Sequence, residues 1–252
     1  MAAVGTVAEL WRYPVKSFQG EPVERLEIAP GGAPGDREWA VVDPAEGKVL
    51  SAKRYPDLLF ASARVVGAET VLRLPDGTEH AAGDPEVHAA LSAWLDREVR
   101  LERPRPDEVL PMEMHTGMSD ESTPLFDWPG PPGTWLDLAD VHWLTTASLR
   151  AAAELHPDGD WDVRRFRPTA LIDTPGEGFA EDGWASVAAG SLTTTVLMPT
   201  PRCTMPSRAQ PGLDRDKAIG TTIRDRHDNN LGLYAAVAQA GTIALGDAVH
   251  AG

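Results

Sequence analysis

The sequence predicts a mainly β fold with a few helices and a β-barrel architecture. Two observations carry that expectation. Short apolar, β-branched runs recur along the whole 252-residue chain, cut apart by 23 Gly and 22 Pro. Only two segments combine a helix cap with a helical run behind it.

Taken in order, the first hundred residues read as strands at Val4 to Trp11, Pro22 to Ile28, Trp39 to Val42 and Leu58 to Val66. Asp76-Gly77 marks a hairpin turn, because glycine adopts positive φ without steric cost. A helix follows. Asp84 can cap it, Pro85 suits its first turn, and Val87, Leu91, Trp94 and Leu95 fall on one face. Residues 103–138 carry seven prolines but also Phe126, Trp128 and Trp135. So many aromatics do not belong on a solvated linker, and we expect an ordered crossover lying against a barrel. The C-terminal part resumes with a strand at Val141 to Leu144 and a helix capped by Thr145 or Thr146 and running to His156. Strands follow at Thr169 to Asp173, at Ser191 to Met198 with Leu192, Val196 and Met198 on one face, at Leu231 to Val237, and at Thr242 to Leu245. Residues 214–230 are rich in charge and poor in strand signals. They read as a loop, in which Arg224, Arg226 and His227 could face a ligand.

Composition narrows the function. With 38 acidic and 23 basic residues the net charge is −15, which disfavours general binding to nucleic acid or to anionic membranes. No apolar run approaches the roughly 20 residues of a membrane span. No basic-then-apolar leader is present, and a reducing cytoplasm is the expected location. The single cysteine, Cys203, excludes an intramolecular disulfide, a Cys-rich zinc site and a protein-ligated iron–sulfur cluster.

Four local clusters could carry chemistry. Tyr13-Pro14-Val15-Lys16-Ser17 ends a strand with a cation and a hydroxyl side by side. Gly35-Asp36-Arg37-Glu38-Trp39 places an Arg at a strand start. Arg164-Arg165-Phe166-Arg167-Pro168 concentrates three Arg in an acidic chain. Lys and Arg at strand ends suit a phosphate, and they equally suit surface ion pairs. Pro199-Thr200-Pro201-Arg202-Cys203 sets the only thiol in a stiff turn beside a cation, which favours thiolate. A small buried hydrophobe is the competing reading of that cysteine.

In this order and over nearly the whole chain, these clusters resemble the MOSC-domain family. So do Leu144-Thr145-Thr146-Ala147-Ser148-Leu149, Phe179-Ala180-Glu181-Asp182-Gly183-Trp184 and Gly241-Thr242-Ile243-Ala244-Leu245-Gly246-Asp247. The resemblance implies an N-terminal β-barrel-like region at 1–102, the crossover at 103–138 and a β-barrel MOSC domain at 139–252. It also implies a mononuclear molybdenum held by molybdopterin, with Cys203 as metal ligand and catalytic residue. Lys16, Ser17, Arg37, Arg167, Thr169 and Arg202 would then surround the cofactor. A soft thiolate suits such a metal. The implied activity is a molybdenum-dependent oxidoreductase that reduces N-oxygenated small molecules by oxygen-atom transfer, fed by a separate ferredoxin-, flavin- or cytochrome-type donor. The expected state is a monomer. A non-redox carrier of persulfide sulfur or of the cofactor would use the same cysteine. Three positions depart from the family pattern: Thr200 replaces the first Cys of Cys-x-Arg-Cys while Cys203 keeps the second, Thr169 replaces an Asn, and Thr146 an acidic residue tied to proton delivery.

Overall fold

The computed structural model describes residues 1–252. Seven strands close a barrel: β1 (Ala2–Arg12), β2 (Val141–Thr145), β3 (Ala170–Asp173), β4 (Ser186–Ala189), β5 (Leu192–Pro201), β6 (Asn230–Gln239) and β7 (Ala248–Ala251). Their order around the barrel is β3-β2-β6-β5-β4-β7-β1, and β1 pairs again with β3. Only β2 and β3 run parallel, with Trp143 opposite Ala170. The strand nearest the N terminus is thus a stave of a barrel otherwise built from residues 141–251. Its register shifts between Ala3 and Gly5 and between Val7 and Glu9, so one long strand serves two neighbours. Gly5 permits the closure, because a Cβ there would fall 2.1 Å from the Asp173 carbonyl oxygen. The interior is filled by Val7, Leu10, Trp143, Ile172, Leu233 and Val249, among others. The buried Trp143 indole N–H donates to Thr194 Oγ1 at 3.1 Å, and Thr194 donates on to the Val187 carbonyl. These two side chains are therefore paired rather than stranded.

Before the barrel, strands Ala40–Asp43, Lys48–Val49 and Arg100–Glu102 form a sheet that an antiparallel hairpin extends to five strands. A second sheet of Ser62–Val66, Glu69–Arg73 and Glu79–Ala81 turns at Gly77, whose φ is +88°. Helix α1 (Glu86–Leu95) buries Val87 and Leu91 in a core shared with Phe18, Val41, Leu50 and Leu72. Asp84 Oδ1 accepts from the Glu86 amide at 2.9 Å and so caps that helix.

Helix α2 (Thr146–Leu155) starts where Thr145 Oγ1 accepts from the Ser148 amide. It packs with α3 (Lys217–Arg226) on the outside of the barrel, over Leu144, Phe166 and Leu171. None of these helices is long and apolar enough to cross a membrane.

Four local expectations need correction. The crossover is ordered, but it holds the hairpin Pro111–Gly117 and Asp120–Pro129. Its prolines fit because Pro111 and Pro129 face each other at the open end, and Pro124 falls where the register shifts on an edge strand. Leu58 to Val66 is not one strand: Pro56–Phe60 is a 3₁₀ turn with Leu58 and Leu59 both buried, and the strand begins at Ser62. Met198 leaves the face of Leu192, because the register against β6 shifts between Val196 and Met198, and it is 40% exposed. Residues 214–230 contain helix α3, not a loop. Asp216 caps it, and Ile219 and Ile223, one turn apart, anchor it.

Candidate functional site

Two of the sequence clusters dock on each other. The Tyr13 amide donates to Asp36 Oδ1 at 2.7 Å, the Arg37 amide to the Tyr13 carbonyl at 2.7 Å, and the Lys16 amide to the Trp39 carbonyl at 2.8 Å. This zipper follows directly on β1 and brings Lys16, Ser17 and Arg37 to one wall of a cavity. Arg167 enters from the turn before β3, where its Nη1 donates to the Phe18 carbonyl at 2.6 Å. Cys203 comes from the end of β5. The Arg202 amide donates to the Asn229 carbonyl at 2.7 Å, and Asn229 Nδ2 returns a bond to the Arg202 carbonyl at 2.8 Å. The chain on the N-terminal side of the thiol is braced from both directions.

Lys16, Ser17, Arg37, Arg167, Thr169, Arg202 and Cys203 all line this one cavity. Ser17, Arg37 and Arg167 have φ values of +70°, +47° and +54°. Left-handed backbone is costly for such residues, and the surrounding structure must hold it. Part of that hold is Tyr13. The guanidinium carbons of Arg37 and Arg167 lie 4.4 and 4.2 Å from the centre of its ring. Its hydroxyl donates to the Pro168 carbonyl at 3.1 Å. Burial and the nearby Arg37 lower Arg167 to about 10.

The sequence reading missed several cavity residues. Asp137 sits between two buried lysines, 2.7 Å from Lys16 Nζ and 3.1 Å from Lys53 Nζ. Burial alone would raise its pKa, but the two ammoniums outweigh it and keep the carboxyl well below the usual range. Burial draws Lys16 down to about 8, with Asp137 opposing. His142 is buried, and burial together with Arg202 pushes it down to about 3, so it is neutral. Arg202 Nη1 lies 3.4 Å from His142 Nε2, and His142 Nδ1 lies 3.4 Å from the Arg167 carbonyl. A guanidinium can only donate, so Nε2 accepts and Nδ1 carries the proton. One neutral imidazole thus links two arginines. Tyr234, edge-on to His142 with centroids 5.4 Å apart, is pushed up to about 12 by burial, with Asp137 adding.

Other singled-out residues serve the frame. Arg165 also borders the cavity, but its guanidinium bonds the carbonyls of Asp160, Pro206, Arg208 and Asp214. Thr169 Oγ1 accepts from the His142 amide. Thr146 does not line the cavity; it bonds Asp173 and Thr174 at the start of α2. Arg224 pairs with Asp225, and His227 stacks on Phe179 and meets Asp182 at 2.8 Å, both away from the cavity.

The cavity is a cationic concavity in an acidic protein. Its lining carries Lys16, Arg37, Arg165, Arg167 and Arg202 against Asp137 and Asp140. Arg202 Nε and Thr200 Oγ1 are buried without a partner. No group of three or more His, Cys, Asp or Glu side chains converges anywhere in the chain. The arrangement suits an anionic ligand, with Cys203 in the same lining.

Comparison with known proteins agrees with the fold. The MOSC N-terminal beta barrel domain family matches residues 4–101, and the MOSC domain family matches residues 135–250. The chain belongs to the MOSC-domain family. It is 25% identical to mitochondrial amidoxime reducing component 2 of Homo sapiens, over 98% of this chain and 83% of that protein. Mitochondrial amidoxime-reducing component 1 of Homo sapiens is 26% identical over the same shares. Molybdenum cofactor sulfurase of Danio rerio is 28% identical over 79% of this MOSC protein and 28% of its own, much longer chain.

Proposed function

We propose that the cavity holds a molybdenum cofactor of the molybdopterin type, with Cys203 as the protein's ligand to the metal. The observation that carries this reading is the one thiol of the chain set in a wall of the cationic cavity. The relatives' names, amidoxime reducing component and molybdenum cofactor sulfurase, support it. Lys16, Arg37 and Arg167 would offset the anionic charge of the pterin phosphate, with Ser17 and Thr169 beside them and Arg202 next to the thiolate. Bound molybdenum would supply two-electron oxygen-atom transfer; the chain supplies position, charge and shielding. We infer a reductase of N-oxygenated small molecules, working as a monomer in the cytoplasm with electrons from a separate protein.

The chain's own part is electrostatic. Asp137, in the cavity lining, pairs with both Lys16 and Lys53, whose like charges would otherwise repel. His142, held neutral, orients Arg202 without adding charge. The test is elemental analysis with detection of released oxidised pterin, on protein made in a molybdopterin-producing host. Near-stoichiometric molybdenum with pterin is expected, and Cys203→Ala should fold yet lose most of the metal. Full metal in that variant removes Cys203 from the ligand set. Absence of both metal and pterin from the wild type favours a sulfur carrier instead. With cofactor present, turnover of N-oxides and hydroxylamines tests the reaction.

A further inference from the structure

A second concave surface stands apart from the cavity. It is a groove bordered by Lys53, Arg54, His115, Glu121, Arg208 and Lys217. At its centre Glu121, from the hairpin, meets three cations at once: Arg208 at 2.6 Å, Lys217 at 2.8 Å, and Arg215. One carboxylate cannot neutralise three cations. The neighbouring pairs leave no spare negative charge either. Arg54 and Lys48 share Glu113, Lys48 also reaches Asp127, and Lys53 shares Asp137 with Lys16. Glu121 alone thus pairs with three cations, in a chain whose net charge is −15. A cluster of cations that outnumbers the carboxylate it pairs with draws anions.

Two further observations give the groove a use. Arg208 is largely buried, with Nη1 on Glu121 and Nη2 on the Lys53 carbonyl at 2.9 Å, yet its Nε has no partner. A buried guanidinium N–H without an acceptor is uncommon. The groove is also tied to the cavity. Lys53 borders the groove while its ammonium pairs with Asp137 of the cavity, and its carbonyl accepts from Thr204 Oγ1, the residue after Cys203.

We propose that this groove binds the carboxylate or phosphate of a small anionic molecule. Arg208, Arg215 and Lys217 are the recognising cations. Glu121 is an internal competitor: it partly neutralises the cations until a ligand anion joins or displaces it. That role separates the proposal from a purely structural latch, in which Glu121 only pins the hairpin down.

The experiment is calorimetric titration of inorganic phosphate and of citrate into the purified protein, with whatever cofactor it carries, at low and moderate salt. Saturable, salt-weakened binding is expected. Arg215→Ala with Lys217→Ala should weaken it by about tenfold or more, and both side chains are exposed enough that the fold should survive. Glu121→Gln should tighten it by about threefold or more. No saturable binding, or binding unchanged in the double variant, overturns the proposal. So does binding lost in Arg37→Ala but kept in the double variant, which would put the anion in the main cavity. Salt-sensitive binding of an acidic protein without binding of small anions overturns it as well.

Discussion

The guanidinium carbon of Arg167 lies 4.2 Å from the centre of the Tyr13 ring. Arg37 shares the same ring at 4.4 Å, so one aromatic positions two of the five cations that line the cavity. Tyr13→Phe keeps the ring and loses only the bond to the Pro168 carbonyl, at a cost of about 1 kcal/mol. Tyr13→Leu removes the platform as well and should cost about 2–4 kcal/mol, with weaker pterin retention. Denaturant unfolding and pterin release measure the two effects. Equal retention in the two variants would mean that the ring does not position the arginines.

Lys16 gives a pH signature. Burial lowers its folded pKa to about 8 from the ordinary 10.5. Between those values the unfolded chain holds a proton that the folded chain has released, so this group makes the fold more stable as pH rises from about 8 to about 10.5. Anion retention runs the other way and should fall above pH about 8, as the ammonium is lost. Lys16→Met should abolish both trends. Unfolding curves at pH 7.5 and 9.5, wild type beside variant, check the slope, and parallel behaviour of the two proteins would contradict it.

Gly232 is fixed by its neighbours. Its φ is +82°, and a Cβ there would lie 2.6 Å from His142 Nε2 and 2.6 Å from the Trp143 carbonyl. Gly232→Ala should destabilise by about 2–4 kcal/mol and disturb Arg202 through His142. Thermal unfolding gives the first result, and the loss of bound pterin gives the second.

Helix α3 depends on its cap. Asp216 Oδ1 accepts from the Ala218 amide at 2.8 Å, while Oδ2 meets His156 Nε2 at 2.9 Å on the segment after α2. Asp216→Ala should cost about 1–2 kcal/mol. Burial opposes the ionised form, but the His156 contact and the amide bond outweigh it and lower the pKa of Asp216. The stabilisation is therefore present above the ordinary carboxyl range and is lost as pH falls through the lowered folded value. An acid titration of stability should show the wild type and the alanine variant converging at low pH.

The residues legible in the sequence are those that announce themselves locally. Lys16, Arg37, Arg167 and Cys203 each stand at a turn or strand end beside Pro, Gly or another cation, and local chemistry was enough to mark them. Lys53, Asp137, His142 and Tyr234 carry no such mark. His142 and Tyr234 are ordinary strand positions opposite each other in the β2–β6 register, and Lys53 and Asp137 meet only because the cavity walls converge. Contacts of that kind arise from tertiary closure, which no short-range pattern encodes. The hairpin and α3 were hidden for a different reason: proline content and charge density masked a register of alternating burial in one and the Ile219–Ile223 stripe in the other.

The pairing of β1 with both β3 and β7 sets an order of events during folding. The first stave of the barrel and its neighbour Ala248–Ala251 are separated by about 240 positions of chain. Closure therefore belongs to the end of the folding reaction, with the long loop-closure entropy that such sequence separation entails. Until then Val7 and Leu10 lack their barrel cover, and both free edges of the unfinished sheet stay open to other chains. Removing residues 2–12 should leave an open, aggregation-prone sheet rather than a smaller version of the same domain.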